Sequence, residues 1–180
     1  MHHLPNLLTI ARIILTPFIA WYLSKNDPRG AFPILFFAGF SDGLDGYLAR
    51  RFGWTSKAGA YLDPIADKLL LVTLWIGLGL AERAPWWMVA LALGRDVAIL
   101  GFSGVMLLMK GPRSFPPSVW GKLSTFFQLS YCGWQVMDMA WRFLPGWWLQ
   151  SWLALAAVAT LWSGVDYYRT GVQMLRSQSD

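Results

Sequence analysis

Four aspartates stand close together in an otherwise apolar chain: Asp42, Asp45, Asp63 and Asp67. They are four of its ten acidic residues. Asp42 and Asp45 are three residues apart and Asp63 and Asp67 four apart, so on helices each pair shares one face. If the two faces meet, four carboxylates share a pocket. Uncompensated, they would repel one another and some would protonate. Arg50 and Lys68 are near in sequence, but two cations do not balance four anions. Divalent cations fill the deficit. An all-oxygen donor set suits Mg²⁺, Mn²⁺ or Ca²⁺, and no His or Cys is placed for zinc. Two carboxylate-bridged metal ions are the usual equipment for phosphoryl displacement.

These acids must be positioned by membrane helices. The chain has 180 residues, 56% hydrophobic and 14% charged, with twelve Trp and eleven Phe. A water-soluble domain carries about a quarter charged residues. Disorder is excluded by the hydrophobicity, and a disulfide scaffold by the single Cys132. Apolar runs cover Leu7 to Leu23, Ala31 to Phe40, Tyr61 to Leu80, Trp86 to Met109, Leu123 to Phe143 and Trp147 to Val165. None alternates with period two as a barrel strand does, and lipid demands that backbone groups be satisfied within each segment. The fold class expected is all-α: a polytopic membrane protein of six transmembrane helices, one domain over residues 1–180. The second helix continues in polar sequence to about Arg50, and the 51–60 linker is short enough to make the second and third helices antiparallel neighbours. Pro64 removes one intrahelical hydrogen bond beside Asp63.

An even number of spans puts both termini on one side. That side holds Arg50, Arg51, Lys57, Lys110, Arg113, Lys122, Arg169 and Arg176; the other holds Lys25, Arg29, Arg83 and Arg142. The bias makes both termini cytoplasmic, places the acidic pocket at the cytoplasmic edge and sets Trp86, Trp87, Trp147 and Trp148 at the outer interface. It also accounts for the net charge of +5 without a nucleic-acid partner. The first run reads as an anchor rather than a cleaved signal, since Arg12 lies inside it and no small-residue cleavage site follows. Asp138 and Asp166 read as helix caps or ion-pair partners, Asp96 as a partner of Arg95 or of another basic residue, and Cys132 as core packing.

The spacing Asp42-x2-Asp45-Gly46-x2-Ala49-Arg50-x8-Gly59-x3-Asp63-x3-Asp67 resembles the signature of the CDP-alcohol phosphotransferase family at every position. Pro5-Asn6-x2-Thr9-x2-Arg12 resembles that family's first-helix start. The resemblance implies transfer of a phosphatidyl group from CDP-diacylglycerol to an alcohol, with release of CMP, in a Mg²⁺- or Mn²⁺-dependent reaction. It implies that Asp42, Asp45, Asp63 and Asp67 bind metal and that Asp67 is also the general base. Asp45, Gly46, Ala49, Arg50 and Gly59 would line the CDP site, with Arg50 on the diphosphate. It implies a homodimer as well.

Pro5-Asn6-Leu7-Leu8-Thr9, Leu62-Asp63-Pro64-x-Ala66-Asp67-Lys68 and the Gly121-Lys122 run resemble the phosphatidylglycerophosphate synthase and cardiolipin synthase branch. Arg95-Asp96 and Ser124 stand where typical phosphatidylglycerophosphate synthases have Arg-Glu and a second Lys, and resemble the CMP-forming cardiolipin synthases. Glycerol-3-phosphate is the acceptor expected first, with phosphatidylglycerol as the alternative. Arg95, Lys110, Arg113 and Lys122 are the candidate ligands of an acceptor phosphate. A cation or proton transporter is the rival reading for membrane carboxylates, but no repeat or midplane broken helix accompanies them.

Overall fold

The computed structural model describes residues 4–52, 57–110 and 118–176. Within its helices, the side chains of 4–8, 42–52, 57–61, 103, 105–110 and 171–176 lie outside the described residues. The order is α1 (Leu4–Ser24), α2 (Pro28–Phe52), α3 (Lys57–Leu80), α4 (Trp86–Lys110), α5 (Val119–Trp141) and α6 (Gly146–Arg176). Each apolar run of the sequence falls within or almost within one helix, and no strand occurs among the described residues. α2 continues as a helix through its polar second half, and α3 runs on through Pro64.

The helices end where local chemistry stops them. Asn26 (φ 54°), Glu82 (φ 56°) and Arg142 (φ 51°) are left-handed residues just past α1, α3 and α5. At the first two, the N–H of the following residue bonds back five positions: Asp27 to the Tyr22 carbonyl at 2.9 Å and Arg83 to the Leu78 carbonyl at 2.8 Å. This closes the terminal carbonyls that a helix cannot satisfy itself. Asp27 Oδ1 then accepts the Gly30 N–H at 3.1 Å, capping the start of α2.

The chain divides into two compact units. The first comprises residues 1–84 and 132–144, hence α1, α2, α3 and the end of α5. α1 is its central element and packs along both α2 and α3. The expected α2–α3 contact falls on segments beside their linker whose side chains lie outside the described residues; α1 packs along both helices. α1 and α3 run parallel, because Thr9 meets Asp63, Arg12 meets Asp67 and Leu23 meets Gly77, at sequence offsets of 54 or 55 throughout. Ile19, Leu23, Leu74, Trp75 and Leu78 form the buried core, and Cys132 is buried in this unit. Arg29 Nε donates to the Ala140 carbonyl at 3.3 Å, and Phe32 stands edge-on to Trp141 at 4.8 Å.

The second unit comprises residues 85–131 and 145–180. α5 and α6 run antiparallel within it, with Ser118 opposite Asp166, Trp120 opposite Trp162 and Ser124 opposite Thr160. α4 packs on α6.

One helical stretch among the described residues, Gly146–Thr170, is long and apolar enough to cross a membrane. Thr9–Ser24 is apolar but shorter. Many large apolar side chains point outward, among them Ile14, Phe36, Trp87, Leu100, Trp147 and Leu161. Scattered apolar exposure is ordinary in soluble proteins, whereas contiguous apolar faces mark a membrane or protein contact.

Candidate active site

The first unit brings two of the four clustered aspartates into one described arrangement. Asp63 and Asp67 lie one turn apart on α3, and each meets a polar side chain from α1. The Thr9 hydroxyl donates to Asp63 Oδ1. Arg12 Nη1 donates to Asp67 Oδ1 at 2.7 Å, forming an ion pair. Thr9 and Arg12 are each only 1% exposed, while the Asp67 side chain is 45% exposed. A buried donor holds a carboxylate that faces outward.

The reason lies in helix geometry. Thr9 and Arg12 are three residues apart and Asp63 and Asp67 four apart, so each pair occupies one face of its helix. Parallel packing at a constant offset sets the faces opposite one another. Thr16, one turn beyond Arg12, closes its hydroxyl onto the Arg12 carbonyl at 2.8 Å and so needs no acceptor from α3.

Asp42, Asp45, Gly46, Ala49, Arg50 and Gly59 lie on helical backbone, but their side chains are outside the described residues. The same holds for Lys110, while Arg113 falls in 111–117, outside them altogether. No group of three His, Cys, Asp or Glu that could hold a metal occurs among the described residues. The two carboxylates that are described fit a hard divalent cation. Both are oxygen donors, neither is deeply buried, and a carboxylate has about four lone-pair positions, so a bond to α1 does not exhaust its capacity.

The second unit contains Arg95 and Lys122. Arg95 is already engaged: Nη1 lies 2.6 Å from Asp96 Oδ1, and Nε and Nη2 donate to Ser163 Oγ at 3.2 and 2.6 Å. Its guanidinium carbon stands 6.0 Å from the Tyr167 ring centre. Of the partners the sequence left open for Asp96, Arg95 is one that it meets. A cavity of about 180 Å³ adjoins it, lined by Arg95, Ala98, Ile99, Phe102, Gly164, Tyr167 and Tyr168. Gly121 lets α5 approach, because a Cβ there would stand 3.3 Å from Arg95 Nη2. Lys122 is exposed on the next residue.

Two aspartates set aside as structural behave that way. Asp138 Oδ1 accepts the Leu144 N–H at 3.1 Å beyond the end of α5, and Asp166 accepts the Ser118 hydroxyl at the start of α5. Ser124, Gln128 and Thr160 form a buried polar network between α5 and α6, with Gln128 Nε2 donating at 3.0 and 2.9 Å. The sequence reading assigned no role to Thr9 and Arg12 in holding carboxylates. The signal was available: an arginine inside an apolar helix needs an anionic partner.

The family pattern of the CDP-alcohol phosphatidyltransferases matches residues 2–163, which includes all four aspartates and the α1 pair. The chain belongs to the CDP-alcohol phosphatidyltransferase family. Members of this family are membrane enzymes and are generally dependent on divalent metal. The chain is 35% identical over 176 residues to the CDP-diacylglycerol–glycerol-3-phosphate 3-phosphatidyltransferase of Escherichia coli, covering 92% of both chains. It is 34% identical over 173 residues to the protein of that name from Haemophilus influenzae, covering 92% of this chain and 91% of the other. It is also 33% identical over 177 residues to a probable CMP-forming cardiolipin synthase of Drosophila melanogaster, covering 87% of this chain. The chain spans about half the length of the first curated relatives it matches, 55% of the Drosophila protein and 58% of a putative cardiolipin synthase of Mycobacterium tuberculosis.

Proposed function

We propose that this protein transfers a phosphatidyl group from CDP-diacylglycerol to glycerol-3-phosphate, releasing CMP, as a step of phospholipid biosynthesis. The observation that carries the reading is the α1–α3 seam. It holds Asp63 and Asp67, two of the family's patterned acids, side by side on one helix face. The choice of acceptor is supported by end-to-end similarity to two transferases named for glycerol-3-phosphate.

In this reading Asp42, Asp45, Asp63 and Asp67 hold Mg²⁺ or Mn²⁺, which supplies charge neutralisation at the diphosphate. Asp45, Gly46, Ala49, Arg50 and Gly59 bind the CDP moiety, with Arg50 countering the diphosphate charge. Asp67 accepts the proton of the acceptor hydroxyl. The acceptor oxygen forms a bond to the phosphorus that bears diacylglycerol, the bond from that phosphorus to the bridging oxygen breaks, and CMP departs with the bridging oxygen and its electron pair. Arg95, Lys110, Arg113 and Lys122 contribute positive charge toward an acceptor phosphate.

The same reading places residues 1–180 in the cytoplasmic membrane as one domain of six spans, both termini cytoplasmic, and as a homodimer. The donor's acyl chains then stay in lipid while its head group reaches the polar edge of the bundle. The outward apolar side chains of both units support this, and each helix has at least 21 residues, enough for a span of about 20.

A second reading, with phosphatidylglycerol as acceptor and cardiolipin as product, is favoured by the Arg95–Asp96 pair. An arginine already neutralised by a carboxylate at 2.6 Å suits a phosphodiester monoanion better than a phosphomonoester dianion. Purified protein with CDP-diacylglycerol and Mg²⁺ or Mn²⁺, offered glycerol-3-phosphate, phosphatidylglycerol, inositol phosphate and serine separately, decides between them. CMP release with glycerol-3-phosphate is expected. Release with phosphatidylglycerol alone selects the second reading, and release with serine alone removes the branch while leaving the family.

A further inference from the structure

We propose that α1 is part of the cation site: Thr9 and Arg12 are positioning residues that hold the Asp63 and Asp67 carboxylates in the orientation a divalent cation requires. The inference rests on the phosphatidyl-transfer reading above and assigns that site two residues that touch neither the donor nor the acceptor.

Burial gives the first argument. A threonine hydroxyl and an arginine guanidinium at 1% exposure are costly to bury unless each is matched. Within the described residues their matches include Asp63 and Asp67. Arg12 is too enclosed to be a direct ligand of a diphosphate, so its positive charge acts through Asp67.

Register gives the second. The two contacts are not isolated side-chain reaches. They continue a parallel seam whose far end is fixed by apolar packing, where Leu23 fits against Gly77; a Cβ on Gly77 would stand 2.8 Å from Leu23 Cδ1. Helix packing therefore sets the height of Thr9 and Arg12 beside α3. Ligand carboxylates are commonly oriented by outer hydrogen bonds of this kind, and losing such a bond typically weakens metal affinity or activity about 10–100-fold.

The two contacts also make the carboxylates unlike one another. Asp67 is tied to a cation and Asp63 to a neutral hydroxyl. Arg12 removes one unit of charge from the acidic cluster; Thr9 removes none. Loss of Thr9 thus costs orientation alone, whereas loss of Arg12 costs orientation and charge balance together.

The test is Mn²⁺ binding to the purified full chain, followed by electron paramagnetic resonance without donor or acceptor, beside a thermal unfolding midpoint for each variant. Thr9→Val keeps shape and removes the donor; it should bind Mn²⁺ about tenfold more weakly at a near-normal midpoint. Thr9→Ser keeps the hydroxyl and should restore affinity. Arg12→Lys keeps the charge without the planar fork and should fall between the unchanged chain and Arg12→Gln. Should Arg12→Gln fail to fold, the Thr9 pair still decides. Equal Mn²⁺ affinity in Thr9→Val and the unchanged chain, with weaker binding in Asp63→Asn, overturns this inference and leaves the proposed function standing. An unchanged chain that binds no Mn²⁺ overturns both.

Discussion

Arg12 and Asp67, 55 residues apart in sequence, meet at 2.7 Å between parallel helices, one 1% and the other 45% exposed. This geometry makes the role of Asp67 separable from its place in the fold. An asparagine there keeps an oxygen that can accept the Arg12 N–H, so the α1–α3 seam survives the change.

Asp67→Asn should therefore fold and bind CDP-diacylglycerol, while turnover falls by at least the ~10²–10⁴-fold that general-base assistance contributes. Asp138→Asn is the matched control. Its oxygen can still accept the Leu144 N–H, so activity should stay near normal. Turnover of both variants at saturating metal and acceptor, with donor binding alongside, is the measurement. Near-normal turnover in Asp67→Asn removes the base assignment; lost donor binding makes Asp67 chiefly a ligand.

Removing divalent metal should abolish CMP release, and adding Mg²⁺ or Mn²⁺ should restore it. In the proposed site the carboxylates of Asp42, Asp45, Asp63 and Asp67 would face an anionic diphosphate, and without a divalent cation their negative charge opposes its approach. Full turnover in chelator, with metal content shown to be nil, would contradict the charge argument directly.

Asp96→Asn removes the negative charge beside Arg95, while an amide oxygen that can still accept its N–H and the two bonds to Ser163 hold the guanidinium in place. A dianionic acceptor then meets a cation not already neutralised. The KM for glycerol-3-phosphate should fall several-fold, with a smaller effect on phosphatidylglycerol. An unchanged or raised KM indicates that Asp96 orients Arg95 for its role rather than masking it.

The residues most legible from sequence were charged ones standing inside apolar runs, which need a partner. Six apolar runs correspond to six helices among the described residues, and Asp96 pairs with Arg95, while Asp138 and Asp166 accept a backbone N–H and a serine hydroxyl rather than an arginine. Less legible was that α1 also stands beside Asp63 and Asp67. Chain connectivity speaks only of α2 and α3, which a short linker joins. The parallel α1–α3 seam depends instead on Leu23 fitting against Gly77 and on a constant offset of 54 or 55, neither of which leaves a periodic trace. Thr9 and Arg12 could have been paired with acids from their polarity alone, but their partners could not be chosen without that register.

The α1–α2 turn offers a test of stability by one substitution made at two sites. A Cβ at Gly30 would stand 2.3 Å from Tyr22 Cδ1 and Cε1 and 2.9 Å from Cζ, so the ring must move. Little room exists to absorb that shift, because Asn26 is held in a left-handed turn and Asp27 caps the Gly30 N–H. Overpacking of this kind costs about 1–3 kcal/mol. Gly39 lies in the same helix with nothing within 4 Å of the corresponding position, and it is exposed. There alanine simply replaces the poorer helix former and should gain up to about 1 kcal/mol. Thermal unfolding in one detergent should thus move in opposite directions for Gly30→Ala and Gly39→Ala. Shrinking the obstructing ring gives the internal check: Gly30→Ala should cost much less in a Tyr22→Ala background, since neighbours that share a clash are not additive. A Gly30→Ala midpoint at or above that of the unchanged chain would mean that the ring swings aside freely and that the turn does not depend on Gly30.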